Sequence, residues 1–216
     1  MNATIRTVLG LGLVALIASP AAAQGRGGGM FGRGNAAILL SNASVQKELK
    51  LDDDQKKKAE ELAEKTREKM QENREATQGL EGEERRNKMM ELNRELGAST
   101  HKAIAEFLNK DQAHRLHQIA LQQQGAMALA NDPGVAKKLN LTDSQKEEIQ
   151  TVQQEMMQEM RTIFQESQGD RETAMKKMGE LRQQTLSKVE GKLNDEQRKA
   201  WKEMLGAPFE VKWEEN

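Results

Sequence analysis

Apolar residues recur at three- and four-residue steps along most of the chain after Ala36, which is the period of an α-helix. Two matching stripes contain Ala59, Leu62, Thr66, Met70 and Asn73, and Ile149, Val152, Met156, Met160 and Ile163. Two more contain Met89, Leu92, Leu96, Ala103 and Phe107, and Met175, Met178, Leu181, Thr185 and Val189. Narrow stripes are typical of helices that pack along one seam, as in a coiled coil. With turns at 79–82 and 167–170, the pattern predicts an all-α fold of elongated helical hairpins.

The chain contains two copies of one pattern, ninety positions apart. Residues 45–56 and 135–146 are identical at seven of twelve positions, and a shorter block recurs at 108–112 and 193–197. Sequence repeats of this kind indicate structural units that pack against each other. We therefore predict two tandem helical units, which cover residues 36–130 and 131–216.

Each shared block describes the start of a helix. It places a leucine, a capping residue and, three residues after the cap, a glutamine. Thr142 with Gln145 fits a capping box, in which two side chains satisfy backbone N–H groups at the helix start. The other three N-caps, all with side-chain oxygens that can accept the same hydrogen bonds, are Asp52, Asn109 and Asn194.

The first 23 residues have the features of an export signal. Arg6 precedes an apolar run, and Ala21-Ala22-Ala23 provides a small-residue cleavage site. We predict a signal peptide at residues 1–23, a flexible Gly/Arg-rich tether at 24–35, and a periplasmic or secreted protein. No stretch after the signal is long and apolar enough for a membrane span.

Charge and motif content narrow the possible functions. The chain has 33 basic and 34 acidic residues, and a near balance of charge argues against a nucleic-acid partner. The sequence has no cysteine, phosphate-binding glycine loop or nucleophile elbow, so we expect no enzyme. Aromatic residues make up only 3%. Large buried side chains are therefore few, and we expect a shallow surface without a deep cleft.

Leu141-Thr142-Asp143-Ser144-Gln145 resembles the LTxxQ signature of the Spy/CpxP family of small exported helical proteins. The other three blocks are degenerate copies without the threonine, and the resemblance covers nearly all of residues 44–210. Members of the family have two motifs per chain and dimerise into a curved helical cradle. Spy-like members hold unfolded clients without ATP, and other relatives sense envelope stress or heavy metals. Four motifs in one chain suggest that the two units pair with each other within the polypeptide.

Methionines form the first candidate site. They lie on the two arms of the second predicted hairpin, at Met156, Met157, Met160, Met175 and Met178. Their flexible thioethers favour either packing between helices or a pliable patch that accepts varied apolar client segments. Thioethers are also soft ligands for Cu(I), so a copper site is an alternative.

Histidines form the second candidate site. His114 and His117 share one helical face, and a fold at Asn109 places His101 opposite His117. Three imidazoles with Glu106 or Asp111 nearby could bind zinc. The matching positions of the second unit hold Leu186, Lys199 and Lys202, so this set does not belong to the duplicated scaffold.

These observations favour an exported, ATP-independent chaperone-like or envelope-stress protein that binds partly unfolded proteins on an amphipathic helical surface. It would require no cofactor. Two alternatives remain at this point: a zinc- or copper-responsive or metal-buffering protein, and a structural helical spacer in the cell envelope.

Overall fold

The computed structural model describes residues 34–167 and 170–213. These residues form helices and no strand, which confirms the prediction of an all-α fold. The predicted signal peptide, the tether up to residue 33 and the two central residues of the second hairpin turn lie outside the described residues. Within those limits, no helix is long and apolar enough to cross a membrane.

Helices follow the same order twice along the chain. The first five are α1 (Ala36–Leu40), α2 (Ala43–Glu48), α3 (Asp53–Ala76), α4 (Gly82–Ala105) and α5 (Lys110–Gln124). The next five are α6 (Ala126–Asn131), α7 (Pro133–Lys138), α8 (Asp143–Glu166), α9 (Arg171–Glu190) and α10 (Asp195–Leu205). Helices α3, α4 and α8 each have 24 residues, which corresponds to about 36 Å.

The predicted N-caps are confirmed at the starts of α3, α5, α8 and α10. In each, the cap side chain accepts the backbone N–H three residues later, and the glutamine there accepts the backbone N–H of the cap. All four helix starts are therefore complete capping boxes, although only Thr142 carries the hydroxyl of the standard motif.

The glutamines of these boxes also bind each other in pairs, an arrangement we call the glutamine clasp. Gln145 Nε2 donates to Gln197 Oε1 at 2.8 Å, and Gln197 Nε2 donates to Gln145 Oε1 at 3.0 Å. In the first unit, Gln55 and Gln112 form the same reciprocal pair, at 2.9 and 3.0 Å. Each Nε2 also donates to a backbone carbonyl next to the partner helix, for example Gln145 to Lys192 O. The clasp thus fixes the base of each hairpin to the helix that follows it.

A left-handed residue joins the short helix to the long one in both units. Lys50 has φ 52° and Asn140 has φ 49°, values that most side chains avoid. In each case the next residue, Leu51 or Leu141, donates its N–H to a carbonyl in the last turn of the short helix. This is a Schellman motif, and it directs the buried leucine into the core before the long helix begins.

The apolar core is divided between the two groups of helices. Helix α1 packs on α3, α4 and α5, whereas α6 packs on α8 and α9. Helix α6 spans the predicted unit boundary at 130/131, and its contacts with α8 and α9 place it with the second group. Helices α5 and α10 pack against each other and join the two groups.

Each group also contributes side chains to the core of the other. Leu121, near the end of α5, packs in the core around Trp201. In return, the C-terminal tail, residues 206–213, places Val211 in the core around Leu39 and Leu40. The two groups of helices are therefore interlocked at their ends.

Candidate functional site

A groove of about 880 Å³ lies between the two hairpins. Its lining includes residues of α3 and α4 from the first group and of α8 and α9 from the second. The α5–α6 junction, residues 122–126, also contributes. Sequence analysis predicts a shallow surface without a deep cleft, and this expectation was wrong. Because the two hairpins meet through α5 and α10, a space remains between their long helices.

The groove is lined by corresponding positions of the two repeats. Aligned on the duplicated motifs, Met70 corresponds to Met160 and Leu96 to Leu181, and all four side chains line the groove. Two other pairs of matched positions differ in chemistry between the repeats. These are Asn93 with Met178, and Gly97 with Arg182. The second hairpin also adds Met156 and Leu186, so it provides most of the apolar lining together with the charged Arg182.

Five methionines and three leucines contribute to the lining. They are Met70, Met127, Met156, Met160, Met178, Leu96, Leu181 and Leu186. Methionine is flexible and polarisable, so a surface of this kind can repack around differently shaped apolar groups. The groove therefore combines ligand-pocket size with low shape specificity.

Three of the five predicted client-binding methionines lie in the groove lining. Met156, Met160 and Met178 form one buried cluster with Leu181 between α8 and α9, and each borders the groove. Met157 packs beside this cluster without lining the groove, and Met175 is 43% exposed. The buried three thus serve both as hairpin packing and as groove wall.

Met70 and Met127 are groove residues outside the predicted set. The spacing of Met70 in the first stripe identifies it as the counterpart of Met160, which is a usable signal. Met127 lies on α6, a short helix that the sequence pattern does not separate from α5. Gln153 Nε2 lies 3.7 Å from its sulfur, and this contact between α8 and α6 holds the thioether in place.

Charged groups are few in the lining and are already engaged. Asp132 caps α7 by accepting the N–H groups of Gly134 and Val135 at 2.7 and 3.2 Å. Arg182 donates to Gln123 O at 2.6 Å. The remaining polar lining consists of amides and one hydroxyl, from residues such as Gln122, Gln183 and Thr185. An apolar segment that enters the groove therefore meets charged groups that already have hydrogen-bond partners.

The three histidines lie together on the first unit but remain accessible to solvent. His101, His114 and His117 are all exposed, and His114 Nε2 lies 3.2 Å from Gln118 Nε2. Partial burial lowers the pKa of His117 below its usual value, and the neighbouring His114 and His101 lower it further, whereas Asp132 acts in the opposite direction. Over residues 34–167 and 170–213, no group of three His, Cys, Asp or Glu side chains is arranged to hold a metal ion. Zinc binding stays a prediction.

Most carboxylates with shifted pKa values lie on the surface in ion pairs, whereas hydrogen bonds from Thr173 lower the pKa of Asp170. The Lys146 ammonium, 2.8 Å from Asp143, lowers the pKa of that carboxyl through a hydrogen bond. Lys192 does the same for Glu148 at 2.9 Å. Exposed pairs at these spacings stabilise helices and hairpins weakly.

Comparison of the chain with models of known protein families, with curated proteins and with solved structures found no significant match. The likeness to the Spy/CpxP family therefore remains a prediction from the motif residues.

Proposed function

We propose that the protein is an exported, ATP-independent chaperone-like or envelope-stress protein that holds partly unfolded proteins in the groove between its hairpins. The observation that carries this proposal is the lining itself, with five methionines and three leucines drawn from both repeats. Apolar side chains of a client would leave water on entering the groove, and burial of each CH₂ group contributes about 0.8 kcal/mol.

Weak and adaptable contact suits this role. A groove lined by thioethers accepts many side-chain shapes, and affinity for any one client stays low because no buried polar group selects it. The faces around the groove carry mixed charges, which favour encounter with clients of either sign. Release would need no nucleotide, since a weak apolar contact dissociates on its own.

The proposal is tested by the suppression of aggregation of a chemically denatured test protein, without nucleotide. The test variant carries Met70→Glu and Leu96→Glu, because these groove residues are only half-buried and their replacement spares the packed core. A matched control is Met90→Glu, which lies on α4, is 64% exposed and does not line the groove. Helix content by circular dichroism must be the same for all three chains.

We expect the double variant to lose most of the suppression and the control to keep it. A charged groove disfavours apolar clients, since two carboxylates would have to be desolvated. Equal suppression by the double variant and the unaltered chain would contradict the groove as the client site. No suppression by the unaltered chain would contradict the proposed function.

A further inference from the structure

The C-terminal tail, residues 206–213, is bound by the first unit through side chains that hold its backbone. Asn42 Nδ2 donates to Lys212 O at 2.8 Å, and Ser44 Oγ accepts from Lys212 N at 3.1 Å. Farther along, Gln122 Oε1 accepts from Phe209 N at 2.8 Å. The tail forms neither helix nor strand, so these bonds replace those that secondary structure would make.

Alternate tail residues anchor this segment in the core of the first unit. Val211 is 7% exposed, and Phe209 and Trp213 pack partly buried against the same cluster. Between them, Glu210 and Lys212 face solvent. Side chains that alternate between buried and exposed are typical of an extended peptide on a surface.

The groups that receive the tail are held in place by the first unit itself. Asn42 Oδ1 caps α2 by accepting the N–H of Ser44 at 2.9 Å, which leaves its amide directed at the tail. Arg115 is fixed by Glu48 at 2.8 Å, donates to Ala207 O at 2.9 Å, and lies 5.9 Å from the centroid of the Phe209 ring. Groups that are held by contacts within their own unit lose little further freedom when a peptide binds.

The second unit lacks these receiving groups. Asp132 and Gly134 stand where the first unit has Asn42 and Ser44, so the amide donor and the hydroxyl are absent. Arg115 corresponds to Ala200. The receptor is therefore a feature of the first copy and does not belong to the duplicated scaffold.

We propose that the first unit carries a second peptide-binding site, filled in this structure by its own tail. Its ligand is an extended segment of another polypeptide with apolar or aromatic side chains at three alternate positions. Hydrogen bonds go to the ligand backbone, which any residue but proline provides at positions 209 and 212, so selection depends mainly on the three alternate anchors. The tail competes with such segments and limits their binding.

This site is separate from the groove between the hairpins. Gln122 contributes to both, whereas Asn42, Ser44 and Arg115 do not line the groove. Binding at the tail site can thus be measured whether or not the groove holds clients, and each proposal can fail alone.

The test measures binding of labelled peptides to a full chain whose tail cannot dock, made by Phe209→Ser, Val211→Ser and Trp213→Ser. Three peptides cover residues 206–213: the natural sequence, a patterned one with Phe209→Leu, Val211→Ile and Trp213→Tyr, and one with serine at all three anchors. We expect the first two to bind and the third to fail. Because a tethered tail acts at an effective concentration on the order of mM, the unaltered chain should bind about tenfold or more weakly.

A second measurement uses the unaltered chain, so it does not depend on folding of the triple variant. The patterned peptide contains no tryptophan, and its binding would expel Trp213 into water while Trp201 stays buried. We therefore expect a red shift of tryptophan emission at saturating patterned peptide, and no shift with the peptide that carries serine at the three anchors. The proposal is overturned if peptides bind equally to the triple variant and the unaltered chain, if the serine peptide binds, or if no red shift is seen. It is also overturned if only the natural tail sequence binds, which includes exchange of the tail between two copies of the chain.

Discussion

Large apolar side chains fill the seam of the second hairpin, whereas small and polar ones fill much of the first. At matched positions the first and second hairpins bury Ala59 and Ile149, and Thr66 and Met156, whereas Asn93 is exposed and its counterpart Met178 is buried. The caps and glutamine clasps, in contrast, are the same in both units. Duplication has therefore preserved the parts that place the helices and changed the parts between them.

The two copies consequently contribute different surfaces. The second provides the buried methionine cluster that forms one wall of the groove. The first provides Asn42, Ser44 and Arg115, which hold the C-terminal tail. A shared scaffold with diverged surfaces suggests that each unit has its own binding role.

The largest expected effect on stability distinguishes α5 from α10, the helices that follow the two hairpins. Trp201 in α10 is 1% exposed and donates from Nε1 to Glu190 at 3.1 Å, whereas its counterpart Leu116 in α5 is 2% exposed. We expect Trp201→Ala to cost about 3–5 kcal/mol and Leu116→Ala about 1 kcal/mol less, since a larger cavity is left. Urea unfolding at fixed temperature measures both, and an equal or greater cost at Leu116 would remove the difference between the cores.

Glutamine clasps offer a smaller contrast. Gln197 is buried at 8% exposure, whereas Gln112 is only half-buried. We expect Gln197→Ala to cost about 1–3 kcal/mol, because a buried polar group that loses its partner pays the desolvation penalty, and Gln112→Ala to cost less. The free energy of unfolding in urea checks both, and an effect near zero at Gln197 would show that the clasp does not stabilise the fold.

Substitution of two matched threonines should change the free energy of unfolding in opposite directions. Thr100 Oγ1 is buried without a hydrogen-bond partner, whereas Thr185 Oγ1 donates to Leu181 O at 2.7 Å. Thr100→Val removes an unsatisfied hydroxyl and should raise the free energy of unfolding by about 1 kcal/mol. Thr185→Val should lower it by up to about 1 kcal/mol. Thermal denaturation resolves the two signs, and shifts in the same direction would contradict this reading of the seams.

The smallest expected effect concerns the left-handed residues before the long helices. Lys50→Gly should stabilise the fold by up to about 1 kcal/mol, because lysine at φ 52° carries a steric cost that glycine avoids. Asn140→Gly should change the free energy of unfolding by only roughly a few tenths of a kcal/mol, since asparagine tolerates this conformation. Both are measured by urea unfolding, and an equal gain at the two sites would contradict the explanation.

Local features of the fold were predictable from the sequence. The caps at Asp52, Asn109, Thr142 and Asn194 depend on side chains within three residues, so a short pattern is sufficient to locate them. The period of the apolar stripes likewise indicates long helices without knowledge of their partners. The all-α fold follows from these two signals.

Tertiary features were beyond the sequence pattern. Met156, Met160 and Met178 were predicted as a cluster, but the groove beside them depends on how the two hairpins meet through α5 and α10. The docking of the tail joins residues more than 150 positions apart, such as Asn42 and Lys212, and a period-two stretch of three apolar residues does not indicate its receptor. Both features come from contacts between elements that have no local signature.

A final consequence concerns the amide at the end of the shared motif. Glutamate closes a capping box as well as glutamine does, so helix capping alone would allow either residue. In the glutamine clasp, however, each Nε2 must donate one hydrogen bond to the partner glutamine and one to a backbone carbonyl oxygen, as Gln145 and Gln197 do. Two facing glutamate carboxylates would repel each other and could donate no hydrogen bond. A search profile for chains of this architecture should therefore require glutamine at that position, and should require the motifs in even numbers.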